Sequence, residues 1–382
     1  MTSGFNRRRT LLAVSCVFLF DGGIVGAWAV RVAEVQREHG LSETGLGAAL
    51  ICVGLGAILA MGPVGVLATR YGSAACIRVL IVIAAFAPVL AAASGSIPLL
   101  LLGLALLGFG IGGLDVSMST QAVALERSMD RPLMSTLHAL FSAGYLFSAL
   151  VGGLVAGSGM GVTPHLAIVG GVAAATILGT SRWLVYDRPP KEKHAGFDFP
   201  SRNLLILGLI AFGAFLTEGS ITDWLSVYVK TILEASPTIA GAALATFGTG
   251  MAVSRFTGDH LRSRFGPYAL VTLGALLTTA TLALVLLASN STVTIIALLF
   301  TGLGLGNCFP VSLAAAGSIP NKSGVAASVA SVATLGYTGF LLGPALIGLL
   351  TTVVSLSVAL CALVVAMIAV VLLAPVVRAA PR

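Results

Sequence analysis

Few side chains in this sequence can do charge or proton chemistry, and most of those interrupt long apolar runs. The stretch LLILGLIAFGAFLTEGSITDWLSVYV carries Glu218 and Asp223, and other apolar runs hold Asp21, Arg31, Asp115, His138, Arg255 and Asp259. An ionisable group at membrane depth costs a few kcal/mol or more, so such groups mark functional paths or paired structural sites. Ser119 and Gln121 follow Asp115 within two helical turns, and Asn307 follows GLGLG (302–306); with the acids they are candidates to bind a polar solute or a proton. Glu218 and Asp223 are five residues apart, about 140° from each other around a helix and ~7.5 Å along it, so they cannot both face one cavity squarely. Glu218 has no obvious basic partner at its own depth, and a carboxyl desolvated there could exchange protons near neutral pH. Asp21 competes for that role, because Gly22 and Gly23 leave room around it. Asp259 stands four residues after Arg255, which predicts an ion pair on one helix face. Asp115 and His138 fall in the same half of the membrane, where an interhelix hydrogen bond between them is as readily structural as functional.

The elements that must hold these groups follow from composition. The 382 residues are 57% hydrophobic and 9% charged, against about 25% charged in an average soluble domain. A hydrocarbon core needs about 20 apolar residues per helix, and twelve such spans follow one another from Leu11 to Val377. Their approximate bounds are 10–34, 43–68, 77–94, 98–123, 133–158, 165–185, 202–230, 238–260, 267–288, 293–316, 323–349 and 355–376. Continuous Leu, Ala, Val and Gly runs contradict the alternating strands of a porin-like barrel. The basic opening NRRRTLLAVSCVFLF resembles a signal peptide, but the apolar run continues past Asp21 without a small-residue cleavage site, so it reads as a retained first span.

The net charge of +7 reports orientation rather than a nucleic-acid partner. With the N-terminus inside, seventeen basic residues fall on the cytoplasmic side and three (Arg31, Arg37, Lys230) outside. That bias places both termini in the cytoplasm of a multi-pass protein of a bacterial plasma or inner membrane. The five cysteines show no CxxC or Cys/His spacing, so neither a disulfide framework nor a metal site is expected. No HExxH, nucleophile–base or nucleotide-binding motif occurs, which excludes an intramembrane enzyme and any cofactor. The runs GLALLGFGIGG (103–113) and GLGLG lie within hydrophobic spans and read as helix packing.

The chain is written twice. Residues 42–72 and 236–266 align without a gap at an offset of 194 and share eleven of 31 positions, both ending in LxxR[YF]G at Arg70 and Arg264. Trp28 matches Trp224, and Gly144-Tyr145 matches Gly336-Tyr337, with small drifts in offset. Six spans return the chain to the same side, so this is a parallel repeat, with a substrate site expected between halves. The predicted organisation is an N-terminal half, 1–187, a cytoplasmic linker, 188–200, and a C-terminal half, 201–382.

Twelve spans, a parallel duplication and GVLATRYGSAA (65–75) resemble the major facilitator superfamily, whose loop motif is roughly GxLADRxGRK. Gly65, Leu67, Ala68, Arg70 and Gly72 match; Thr69 stands where the family has Asp, and Ser73-Ala74 replace its basic residues. LDVSMSTQAVALERSMDRPLMSTLHALFSAGY (114–145), EGSITDWLSVYVK (218–230), FPVSLAAAG (309–317) and GYTGFLLGPALIGLL (336–350) narrow the likeness to the rhizopine-transporter-like, MosC-type branch, distantly similar to fucose permease. The resemblance implies an all-α fold of two six-helix halves and a secondary active carrier, a monomer that moves a small solute by alternating access, with the proton as coupling ion. It also implies that Arg31 and Asp223 pair at an outer gate, because spans 1 and 7 meet there, and that Arg70, Arg255, Asp259 and Arg264 serve gates. An efflux carrier of the same fold and a non-transporting sensor or scaffold are the alternatives. Few charges line the expected cavity, which favours a neutral or weakly charged solute.

Overall fold

The computed structural model describes residues 7–41, 43–185, 200–235, 237–288, 290–319 and 324–379. Among these residues the chain is helical throughout, with no strand, as backbone in lipid must be if every N–H and C=O is to be satisfied. The first six spans are α1 (Arg7–Glu38), α2 (Glu43–Tyr71), α3 (Ser73–Ala92), α4 (Ile97–Met129), α5 (Met134–Gly157) and α6 (Val162–Thr180). A short 3-10 turn, Ser181–Trp183, follows α6. The second six are built from α7 (Arg202–Thr231), α8 (Pro237–Leu287), α9 (Ser291–Leu305), α10 (Cys308–Ser318), α11 (Val325–Leu350) and α12 (Leu356–Leu373). Two spans lie in α8, parted at Gly266. The tenth expected span departs from a single helix: it is broken at Gly306 and Asn307 into α9 and α10. Twelve membrane spans result among the described residues. Leu154 is 71% exposed and Leu372 73%, surfaces that lipid covers in the membrane.

The repeat is visible in backbone geometry. Gly72 (φ 90°, ψ 144°) and Gly266 (φ 81°, ψ 160°) turn the chain the same way at the two LxxR[YF]G corners, and this positive-φ conformation is open to glycine at no steric cost. At each corner the arginine lies over the next aromatic ring, Arg70 on Tyr71 at 5.3 Å and Arg264 on Phe265 at 5.4 Å. Asp130 and Gly324, again 194 positions apart, are both left-handed, with φ 52° and 88°.

Two compact units divide the chain: unit 1 comprises Met1–Leu133, Leu137–Asp198 and Pro320–Ala330, and unit 2 comprises Met134–Thr136, Phe199–Ile319 and Ser331–Arg382. The expected linker, 188–200, lies outside the described residues apart from position 200. Inside unit 1, α4 packs on α2, α3 and α1, and α6 on α3 and α1. Gly22 and Gly26 of α1 lie under the carbonyls of Phe141 and Tyr145 of α5, while Gly144 lies under the carbonyl of Leu19. Small residues allow this close approach, which lipid-embedded helices use for association. Inside unit 2, α8 packs on α9 and α12, and α7 on α10 and α12. There Gly339 of α11 lies under the Phe212 carbonyl of α7.

Candidate functional site

Unit 1 holds the deepest acids. Asp21 on α1 is 1% exposed and Asp115 on α4 is 4% exposed, and the two carboxyls lie within electrostatic reach of each other. Among the described residues neither forms an ion pair, and Asp21 Oδ1 and Asp115 Oδ2 have no hydrogen-bond partner. Ser119, one turn beyond Asp115, is fully buried, and its Oγ also lacks a partner. His138 of α5 is buried, its ring edge-on to Phe18 at 5.1 Å. Phe18 precedes Asp21 by three residues on α1, which puts both on one helix face. An ionised carboxylate without a counter-charge is costly in such surroundings; a bound proton removes the charge. Two neighbouring acids of this kind can take up and release a proton without an arginine to compete.

Gln121 leaves the list of solute candidates. Its Nε2 donates to Ser73 Oγ at 2.7 Å and to the Val185 carbonyl at 3.0 Å, and its Oε1 accepts from Val185 N at 2.7 Å. Completely buried, the side chain ties α4 to the start of α3 and to the segment after α6.

Arg31 has partners within unit 1; its expected pairing with Asp223 of α7 stays an expectation. Its Nη1 donates to Glu34 at 2.9 and 2.7 Å, Nε to His165 Nδ1 at 3.1 Å, and Nη2 to the Met160 carbonyl at 3.0 Å. Asp223 is exposed on α7. His165 gives no signal in the sequence, where it is a lone histidine near a span end; Glu34, three residues after Arg31, is a readable partner.

In unit 2 two further expectations are corrected. Glu218 does have a basic partner: Arg255 Nη2 of α8 lies 3.2 Å from Oε1 and 3.4 Å from Oε2. Arg255 therefore turns to α7, not to Asp259 on its own helix, and its Nε also donates to the Gly306 carbonyl at 3.3 Å. Asp259 instead accepts from the backbone N–H groups of Ser135 (3.0 Å) and Thr136 (2.6 Å), residues that group with unit 2. A carboxylate that accepts two backbone donors is satisfied without a cation. Asn307, at the break between α9 and α10, donates to Ser254 O at 2.6 Å and Ser254 Oγ at 2.8 Å, clasping the broken helix to α8. Its Oδ1 lies against Gly258, where a side chain would overlap it. Beside this pair Phe215, one turn before Glu218, stacks on Phe309 at 3.8 Å, and Tyr337 meets both rings edge-on at 5.4 and 6.2 Å. These aromatics come from α7, α10 and α11, and nothing in their sequence spacing brings them together. The gate candidates Arg70 and Arg264 are exposed at the two corners described above.

Comparison with known proteins bears on the family and the fold. The profile of the Major Facilitator Superfamily matches residues 11–232 and 207–382. An uncharacterized MFS-type transporter of Yersinia pestis is 35% identical over 355 residues, 90% of this chain and 89% of that one. The membrane protein MosC of Rhizobium meliloti is 27% identical over 359 residues, 93% and 86% of the two chains. Among solved structures the fucose:proton symporter FucP of E. coli superposes with a TM-score of 0.73 at 15% identity, covering 95% of this chain and 97% of that one, a likeness of fold. The chain is thus a multi-pass membrane transporter, not an enzyme, and it belongs to the Major Facilitator Superfamily.

Proposed function

We propose that this transporter moves a small solute by alternating access, coupled to the movement of protons, with Asp21 and Asp115 as the proton-carrying pair. The observation that carries the reading is the juxtaposition of two buried carboxyls that have no cation among the described residues and retain unsatisfied oxygens. Glu218 is charge-compensated by Arg255, so it serves solute contact or helix packing rather than coupling. The fold neighbour named a fucose:proton symporter supports both a small polar solute and the proton. A neutral or weakly charged solute suits a site whose solvent-touched ion pair in unit 2 is already balanced, with the aromatic rings of Phe215, Phe309 and Tyr337 beside it. The protein acts as a monomer in the bacterial plasma or inner membrane, with both termini in the cytoplasm. Seventeen basic residues on one side against three on the other support that topology.

Reconstitution in vesicles loaded with a pH-sensitive dye tests the reading. Fucose and a panel of metabolites, pre-selected by thermal shift of the purified protein, are added outside. A solute that stabilises the wild type should drive proton movement, and Asp21→Asn should abolish that movement while leaving solute exchange measurable. Solute uptake with no accompanying proton movement contradicts the proposal.

A further inference from the structure

Arg31 is 1% exposed and His165 4%, and the bond between them restricts the chemistry of the imidazole. A guanidinium has five donors and no acceptor. Arg31 Nε, 3.1 Å from His165 Nδ1, must therefore donate, and Nδ1 must hold a lone pair. The ring is then neutral, with its hydrogen on Nε2. Gly152 of α5 backs the ring: a side chain there would come within 3.0 Å of His165 Cε1 and 2.7 Å of Val30 Cγ1. The imidazole of α6 thus meets Arg31 of α1 on one side and the Gly152 backbone of α5 on another.

Protonating His165 would remove the acceptor and set a second positive charge beside the guanidinium. Glu34, already shared with Arg31 at 2.7 Å, is the acid at hand. Of the other charged groups, Arg37 and Glu38 at the end of α1 are exposed to solvent, His39 just past α1 binds Val35 and Ser94, α3 brings Arg78, which is held by Ser181 at the far end of α6, and α5 has no titratable residue within a turn of Gly152. Glu34 is 26% exposed and Met160 39%, so protons reach the cluster from its rim.

We infer that His165 is a positioning residue that holds Arg31 only in its neutral form, and that its protonation opens the joint between α1 and α6 at the α5–α6 connection. The clamp stabilises the joint above the ordinary imidazole range, near 6.5, and is lost as pH falls.

Hydrogen exchange of the full chain in lipid nanodiscs, read at the outer ends of α1 and α6 and corrected for intrinsic rates, tests this. Between about pH 7.5 and about pH 5 the wild type should lose protection there by roughly tenfold, the worth of one charge-assisted hydrogen bond. His165→Asn, whose Oδ1 replaces Nδ1 as acceptor without titrating, should keep its protection at both values. Unchanged wild-type protection, or an equal loss in His165→Asn, overturns the proposal. If the variant does not fold, nitrogen NMR of the wild-type ring decides. A neutral Nε2–H tautomer that is lost together with protection supports the clamp, and a ring protonated at Nδ1 near pH 7.5 refutes it.

Discussion

In unit 1 the deepest acids, Asp21 and Asp115, have no cation paired to them among the described residues, whereas in unit 2 the acid of the corresponding seventh span, Glu218, lies 3.2 Å from an arginine. The two units descend from one repeated pattern and keep its mechanical parts. Both turn at a positive-φ glycine after an arginine stacked on an aromatic ring, and both bring a glycine under a neighbouring carbonyl, at Gly144 and at Gly339. Their polar interiors differ. At the offset of 196 that aligns Trp28 with Trp224, Asp21 falls on Thr217, a buried hydroxyl that donates to the Gly213 carbonyl at 2.8 Å. Glu218 falls on Gly22, where the Phe141 carbonyl leaves no room for a side chain. Packing was retained while charge was redistributed: one half holds buried carboxyls with unpartnered oxygens, the other a balanced pair beside an aromatic cluster.

Three kinds of substitution sharpen this contrast. The largest effect is expected from Arg255→Gln, which strands Glu218. The two side chains of the pair are 13% and 20% exposed. Removing one partner of a fully buried pair costs ~3–5 kcal/mol, so this partly solvated pair should lose about 2 kcal/mol. Chemical denaturation should show most of that loss recovered in the Arg255→Gln, Glu218→Gln double variant; no recovery means that the arginine matters for its packing alone. Next is Gly144→Ala, whose added carbon meets the Leu19 carbonyl and should cost ~1–3 kcal/mol as overpacking. Gly171→Ala, with nothing near its Cβ position, should leave thermal stability unchanged or slightly raised. Equal effects at the two glycines would remove the packing argument for the α1–α5 contact. The smallest change is expected from Phe309→Leu, which keeps an apolar side chain but loses the stack on Phe215. An aromatic pair of this kind is worth about 1 kcal/mol beyond the area it buries. In unit 2 that loss should accompany weaker solute retention, and intact retention would detach the aromatic cluster from the solute.

The twelve spans are legible because lipid forces long apolar runs, and the repeat because its glycine corners demand a particular residue. Side-chain pairing is less legible. The i,i+4 rule matches Arg255 to Asp259, but the rule gives only proximity on one helix, and the competing acid on α7 becomes a neighbour only through tertiary packing. Gln121 resembles a solute ligand because a buried amide must bond something; which backbone it bonds depends on where the segment after α6 returns. The isolation of Asp21 and Asp115 cannot be read from the sequence at all, since it is a property of what surrounds them in space.

That isolation is the central claim, and infrared spectroscopy of the carboxylic acid C=O stretch tests it most directly. In reconstituted wild-type protein near neutral pH, a band from a protonated carboxyl should be present, should survive Glu218→Gln, and should vanish in the Asp21→Asn, Asp115→Asn double variant. A wild type without the band, or a band that disappears with Glu218 and persists without the two aspartates, would contradict the account and return the proton to unit 2.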